Sequence, residues 1–139
     1  MPLAKVLLDN LNNAKIIGVT LSQEEKLYLN NLINNNAEVF EDIVTNISLM
    51  IKDGKINIYE IPEIIYLICE IYNKNILPEL INNVDIINLV QYTIDSLLES
   101  SILPLSKAKL LMIEKLVDTS FKLLKMNIKP IKRCIAFCC

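Results

Sequence analysis

The sequence predicts an all-α, single-domain bundle of five or six helices joined by short turns. Apolar residues recur at i, i+3, i+4 and i+7 in nearly every segment, which is the period of a helix with one buried face. Only two glycines and five prolines occur in 139 residues, so positions that break a helix are few. Hydrophobic residues make up 53% of the chain, which suits a bundle with wide apolar faces.

Two helices are expected in the N-terminal third. The first covers 2–14 and the second begins after Ser22. Ser22 and Glu25 have the spacing of a capping box, in which each side chain accepts the backbone N–H of the other residue. The apolar period then continues to about Ile33, and the asparagines at 34–36 predict a turn.

The middle of the chain contains two strongly periodic helices. One is expected over 37–51, and another begins near Tyr59, with Pro62 tolerated in its first turn. The second of these is apolar around most of its circumference, so we expect it in the middle of the bundle. Its narrow polar stripe consists of Glu63, Tyr66, Glu70 and Asn73.

Two more helices are expected over 85–99 and 106–126. The first should direct Ile86, Val90, Ile94 and Leu97 inward, and Asn88, Tyr92, Asp95 and Glu99 outward. The second has an apolar face and a lysine-bearing face. The charged positions of that second face are Lys115, Asp118, Lys122, Lys125 and Lys129.

Charge divides the chain into an acidic part and a basic part. Residues 1–104 carry a net charge of −8, whereas 105–139 carry +6. We therefore divide the chain into a helical bundle domain, 1–127, and a basic, cysteine-containing tail, 128–139. An acidic body with a positive end predicts a module that binds protein neighbours and docks on something negative.

The composition argues against catalysis and against a cofactor. Histidine is absent, which removes Ser-His-Asp and Cys-His nucleophiles, HExxH zinc sites and the Glu-x-x-His di-iron site of helical bundles. Two isolated glycines cannot make a phosphate-binding loop, and the absence of tryptophan leaves little for stacking nucleobases. Cys69 lies among apolar residues and is expected to be a buried thiol. We predict no enzyme and no cofactor.

Grouped carboxylates are the first candidate for a metal or acid–base site. Without histidine, and with most of them on the polar side of a helix, they are interpreted as solvated faces. The groups are Glu24 with Glu25, Glu38 with Glu41 and Asp42, and Glu60 with Glu63.

The stretch from Asp53 to Glu60 resembles the second half of an EF-hand calcium loop, with Gly54 at its turn. The first two ligand positions of such a loop would fall on Leu49 and Ile51, which have no ligand oxygen. We predict a helix–turn–helix corner at Gly54 and no metal site.

The segment 53–65 is also similar to segments in small helical proteins of large DNA viruses. The many isoleucine, asparagine and lysine residues, whose codons are A/T-rich, fit such a source. The resemblance implies a virion component or a virus-encoded accessory factor, and it transfers no catalytic or binding residue.

The basic tail is the strongest candidate functional feature. Cations near anionic lipid and acylated thiols together make a two-signal membrane anchor. The candidate docking residues are Lys122, Lys125, Lys129, Lys132 and Arg133, and the candidate lipidation sites are Cys134, Cys138 and Cys139. The terminal Cys-Cys resembles the prenylated end of Rab-type small GTPases, although the phosphate loop of that family is missing. A solvated helix end and a nucleic-acid contact remain the alternatives.

The sequence therefore predicts a non-catalytic structural or adaptor protein, a small virion component of minor capsid type. It would dock protein neighbours, as a homo-oligomer or in a larger assembly, to a membrane or another anionic surface. The alternative is a virus-encoded helical accessory factor that binds a host protein or peptide. No run is long enough for a transmembrane helix and no signal peptide is evident, so the virion or the host cytoplasm is expected, with membrane-peripheral binding.

Overall fold

A computed structural model describes residues 3–13, 19–51, 60–76, 83–100, 102–103 and 105–126. The chain is all-α, as predicted: six helices and no β-strand are found within these ranges. The helices are α1 (Leu3–Asn12), α2 (Gln23–Asn35), α3 (Glu38–Met50), α4 (Glu60–Asn75), α5 (Ile86–Glu99) and α6 (Lys107–Met126).

The first residues of α2 and α5 are fixed by side-chain caps. Ser22 and Glu25 form the predicted capping box, with the Ser22 N–H donating to Glu25 Oε1 at 2.9 Å and the Glu25 N–H donating to Ser22 Oγ at 3.2 Å. Asp85 caps α5 by accepting the N–H groups of Ile87 and Asn88. The turn expected at 34–36 is shorter than predicted, because α2 continues to Asn35 and only Asn36 and Ala37 separate it from α3.

Helix α5 lies at the centre of the bundle and packs against α1, α4 and α6. Eleven of its fourteen residues are buried. Helix α4, which was expected in the middle, also packs against three helices, α3, α5 and α6, although only six of its sixteen residues are buried. The outward placement of Tyr92 was wrong, because α5 is surrounded on more sides than its own sequence pattern indicates and this side chain is buried.

The remaining helices complete one continuous apolar core around α5. Helix α1 packs against α2, α3 and α5, with Leu3 and Leu7 fully buried. Helix α3 packs against α1 and α4, and its buried residues Phe40, Ile43 and Ile47 are among the positions that the helical period predicted. A small apolar cavity of about 20 Å³ lies among α3, α4, α5 and α6.

A short chain of hydrogen bonds crosses this core. The Tyr28 hydroxyl donates to the Tyr72 carbonyl at 2.9 Å, the Tyr72 hydroxyl contacts Thr93 Oγ1, and Thr93 donates to the Leu89 carbonyl at 2.7 Å. Each buried hydroxyl thus has a partner, which avoids the cost of an unsatisfied polar group. The rings of Tyr28 and Phe40 both pack at an angle on Tyr72. Together these contacts tie α2, α3, α4 and α5.

Candidate functional site

Helix α6 is the element whose exposed side differs most from the rest of the molecule. It packs against α4 and α5 through Ile113, Val117 and Phe121, all of which are buried. At 100° per residue, the side chains opposite this line point away from the bundle. We call this set the outward face of α6: Ala108, Leu111, Met112, Lys115, Thr119, Lys122 and Leu123.

Large apolar side chains stand in solvent on the outward face of α6. Leu111 is 52% exposed and Met112 is 47% exposed, and Leu123 is exposed to a similar degree. Outside α6, the exposed large hydrophobics of the described chain are Leu27, Leu49 and Tyr66, one on each of three helices. Single exposed apolar residues are ordinary, whereas several on one helix face mark a contact surface.

Lysines share this exposed side with the apolar residues. Helix α6 carries five lysines and two acids, whereas the other described residues are strongly acidic. Lys115 is exposed, and Lys122 makes an exposed ion pair with Asp118 at 3.0 Å. An exposed pair of this kind contributes little to stability, so the Lys122 ammonium stays available to another anion.

The two acids of α6 lie on the flank that faces α5. Glu114 and Asp118 both act electrostatically on Asp95 of α5. Burial, and then repulsion from Asp118 and Glu114, raises the pKa of Asp95 to about 6, against opposing effects of Lys125 and Gln91. The centre of the outward face of α6 therefore contains lysines and apolar residues without an acid.

Lys125 and Lys122 lie one turn apart on α6 but have different surroundings. Its ammonium donates to Oε1 of the buried Gln91 at 2.6 Å, so it contacts α5 and is only partly exposed. Of the predicted docking residues, Lys122 thus points to solvent and Lys125 joins two helices. Lys129, Lys132, Arg133 and the predicted lipidation sites Cys134, Cys138 and Cys139 lie outside the described residues.

The grouped carboxylates are exposed or partly exposed with one exception. The expectation of a solvated face was wrong for Glu25, which is only 3% exposed. Its Oε2 accepts the Asp85 N–H at 2.8 Å while Oε1 accepts the Ser22 N–H. One carboxylate thereby joins the starts of α2 and α5, which explains why it is buried.

The described part of the chain contains no group of three or more metal-ligating side chains. The predicted corner at Gly54 lies outside the described residues. Cys69 is a buried thiol, as predicted. Burial raises the pKa of both Tyr28 and Tyr72, which keeps these phenols neutral.

Sequence reasoning missed Leu111 and Met112 as surface residues. Helical spacing from Ile113 places both outside the inward line, so the signal was present in the register of α6. The roles of Glu25 and Gln91 had no such signal, because their partners lie 60 and 34 residues away in the chain.

No helix within the described ranges combines the length and the hydropathy that crossing a bilayer requires. Comparison of the chain with protein-family profiles, with curated proteins and with solved structures finds no match.

Proposed function

We propose that this protein is a non-catalytic docking component, a small structural or adaptor protein of minor capsid type in a virion. Its acidic body binds protein neighbours, in a homo-oligomer or a larger assembly. Helix α6 and the basic segment after it face a membrane or another anionic surface. The resemblance of 53–65 to viral proteins and the A/T-coded composition support the viral part of this proposal.

One observation carries the docking role. Exposed lysines and exposed large apolar side chains share the outward face of α6, while the other described residues together carry more acids than bases. A surface that attracts cations and also accepts apolar side chains fits this combination. The body would be repelled by the same surface, so the charge split also orients the protein.

The alternative of a peptide-binding accessory factor would need an apolar groove that holds a helix. The apolar cavity beneath α6 has a volume of about 20 Å³, room for about one water molecule, so this cavity does not hold a helix. The geometry therefore favours docking by an outer face.

Flotation of the full chain with lipid vesicles tests this proposal. We expect binding to vesicles that contain phosphatidylserine and none to pure phosphatidylcholine vesicles. Binding should weaken strongly near 1 M salt, where the Debye length falls to about 3 Å. Equal binding to both vesicle types, or no binding to either, would contradict the role on an anionic membrane.

A further inference from the structure

We propose that the outward face of α6 itself enters the headgroup layer of an anionic bilayer, with Leu111 and Met112 inserted and Lys115 on the acidic headgroups. This inference rests on the proposed function and names the surface and the contacting residues. It assigns the contact to the folded domain, in addition to the segment after it.

The geometry of α6 suits a helix that lies in the plane of a membrane. The helix has 20 residues and is therefore about 30 Å long, with its core-facing line held by Ile113, Val117 and Phe121. Its exposed side combines apolar residues with lysines, whose aliphatic stems can lie along the acyl boundary while the ammonium groups stay at the headgroups.

Helix α6 is already folded before the protein binds a membrane. Many amphipathic segments lose conformational entropy when they become helical at a surface. Here the buried side of the helix is already packed on α4 and α5. The three buried residues of the core-facing line therefore hold Leu111 and Met112 in register with Lys115 before the protein binds lipid.

Lipid fits this face better than nucleic acid does. Phosphates of DNA or RNA would use the lysines, but the exposed leucine and methionine side chains would gain nothing from them. Stacking on bases needs aromatic side chains, and the single aromatic residue of α6, Phe121, is buried. An anionic bilayer uses both the charge and the apolar surface.

The chain contains no tryptophan, which allows a direct measurement of insertion. We would make Leu111→Trp in the full chain and record its fluorescence with phosphatidylserine-containing vesicles. A blue shift is expected because the indole would leave water. Leu49→Trp is the matched control, because Leu49 is 64% exposed and lies on the acidic outer side of α3. Its emission should not move.

Affinity measurements on the same vesicles separate the contribution of the lysine charge from that of the apolar side chains. Lys115→Gln should weaken binding about fivefold, the effect of about one unit of charge near an anionic surface. Leu111→Ser combined with Met112→Ser should weaken it roughly tenfold, because apolar area would no longer be buried. Lys26→Gln on α2 and Leu49→Ser should leave binding unchanged. All these side chains are exposed, and unchanged circular dichroism would verify folding.

A variant with Lys129→Glu, Lys132→Glu and Arg133→Glu distinguishes membrane docking by the segment after α6 from insertion of the outward face of α6. If this variant abolishes binding while the α6 substitutions have no effect, the inference is wrong and the proposed function stands. If wild type does not prefer anionic vesicles, both fail. If raising the protein concentration without vesicles is enough to shift the emission of the introduced tryptophan to shorter wavelength, the face binds a second copy of the protein. A blue shift with double-stranded DNA would assign the face to nucleic acid. Either result overturns the inference.

Discussion

Helices α5 and α6 are neighbours with almost the same apolar content and opposite exposure. Eight of the fourteen residues of α5 are apolar, as are eleven of the twenty residues of α6. Eleven residues of α5 are buried, whereas among the described side chains of α6 only Ile113, Val117 and Phe121 are buried. The difference comes from packing and from charge, because α5 is surrounded by α1, α4 and α6, whereas α6 covers one side of the bundle and carries five lysines and two acids.

This comparison explains how one molecule can have a stable apolar core and also an exposed apolar surface that can bind a partner. The apolar surface of α5 stabilises the fold, since removing it from water is the main favourable term in folding. Part of the apolar surface of α6 remains in solvent among lysines. This exposed apolar surface of α6 makes no contact within the domain core and is available to a partner.

The largest expected effect contrasts a leucine of each helix. Leu89 on α5 is fully buried, so Leu89→Ala should lower the free energy of unfolding by about 2–5 kcal/mol. Leu111→Ala on α6 should change it by less than about 0.5 kcal/mol because the side chain is half exposed. Urea unfolding followed by circular dichroism measures both. Equal losses in the two variants would contradict the assigned burial.

An intermediate effect is expected from the polar contacts of α5. Thr93→Val removes the hydrogen-bond partner of the buried Tyr72 hydroxyl and should cost about 1–3 kcal/mol of stability. Adding Tyr72→Phe to this variant should recover part of the loss, since no hydroxyl remains to be satisfied. A double-mutant cycle of urea unfolding measures the coupling. Strict additivity would show that the two hydroxyl groups do not interact.

The smallest of the three effects concerns the contact between α5 and α6. The pKa of Asp95 is about 6 in the folded chain, above its ordinary 3.8, so folding favours the protonated carboxyl. Stability from this group is present below about pH 4 and is lost as the pH rises through 6. Asp95→Asn should therefore raise the free energy of unfolding at pH 7 by about 1 kcal/mol, a value reduced for solvent screening.

Urea unfolding of wild type and Asp95→Asn across pH 4 to 7 measures this difference. The groups that face Asp95 are Gln91 on its own helix and Glu114, Asp118 and Lys125 on α6. A difference between wild type and Asp95→Asn that is the same at pH 4 and pH 7 would contradict the raised pKa.

Much of the fold was predictable because its signals are local. The capping box of Ser22 and Glu25 and the periodic Phe40, Ile43 and Ile47 are readable within one helix. The candidate site was only partly predictable. The register of α6 indicated its charged side, but Lys125 was expected among the surface cations and instead contacts Gln91 on α5. The burial of Glu25 depends on Asp85, which no spacing within α2 reveals.

The sequence by itself determined the helices, the capping box that begins α2, and the separation of acidic from basic charge. These properties depend on residues within a few turns of one another. Only the tertiary structure decided that α5 lies at the centre, that Tyr92 and Glu25 are buried and that Leu111 and Met112 remain in solvent. Burial depends on how many neighbours surround a helix as well as on its own sequence, and two helices of similar apolar content can therefore differ in exposure.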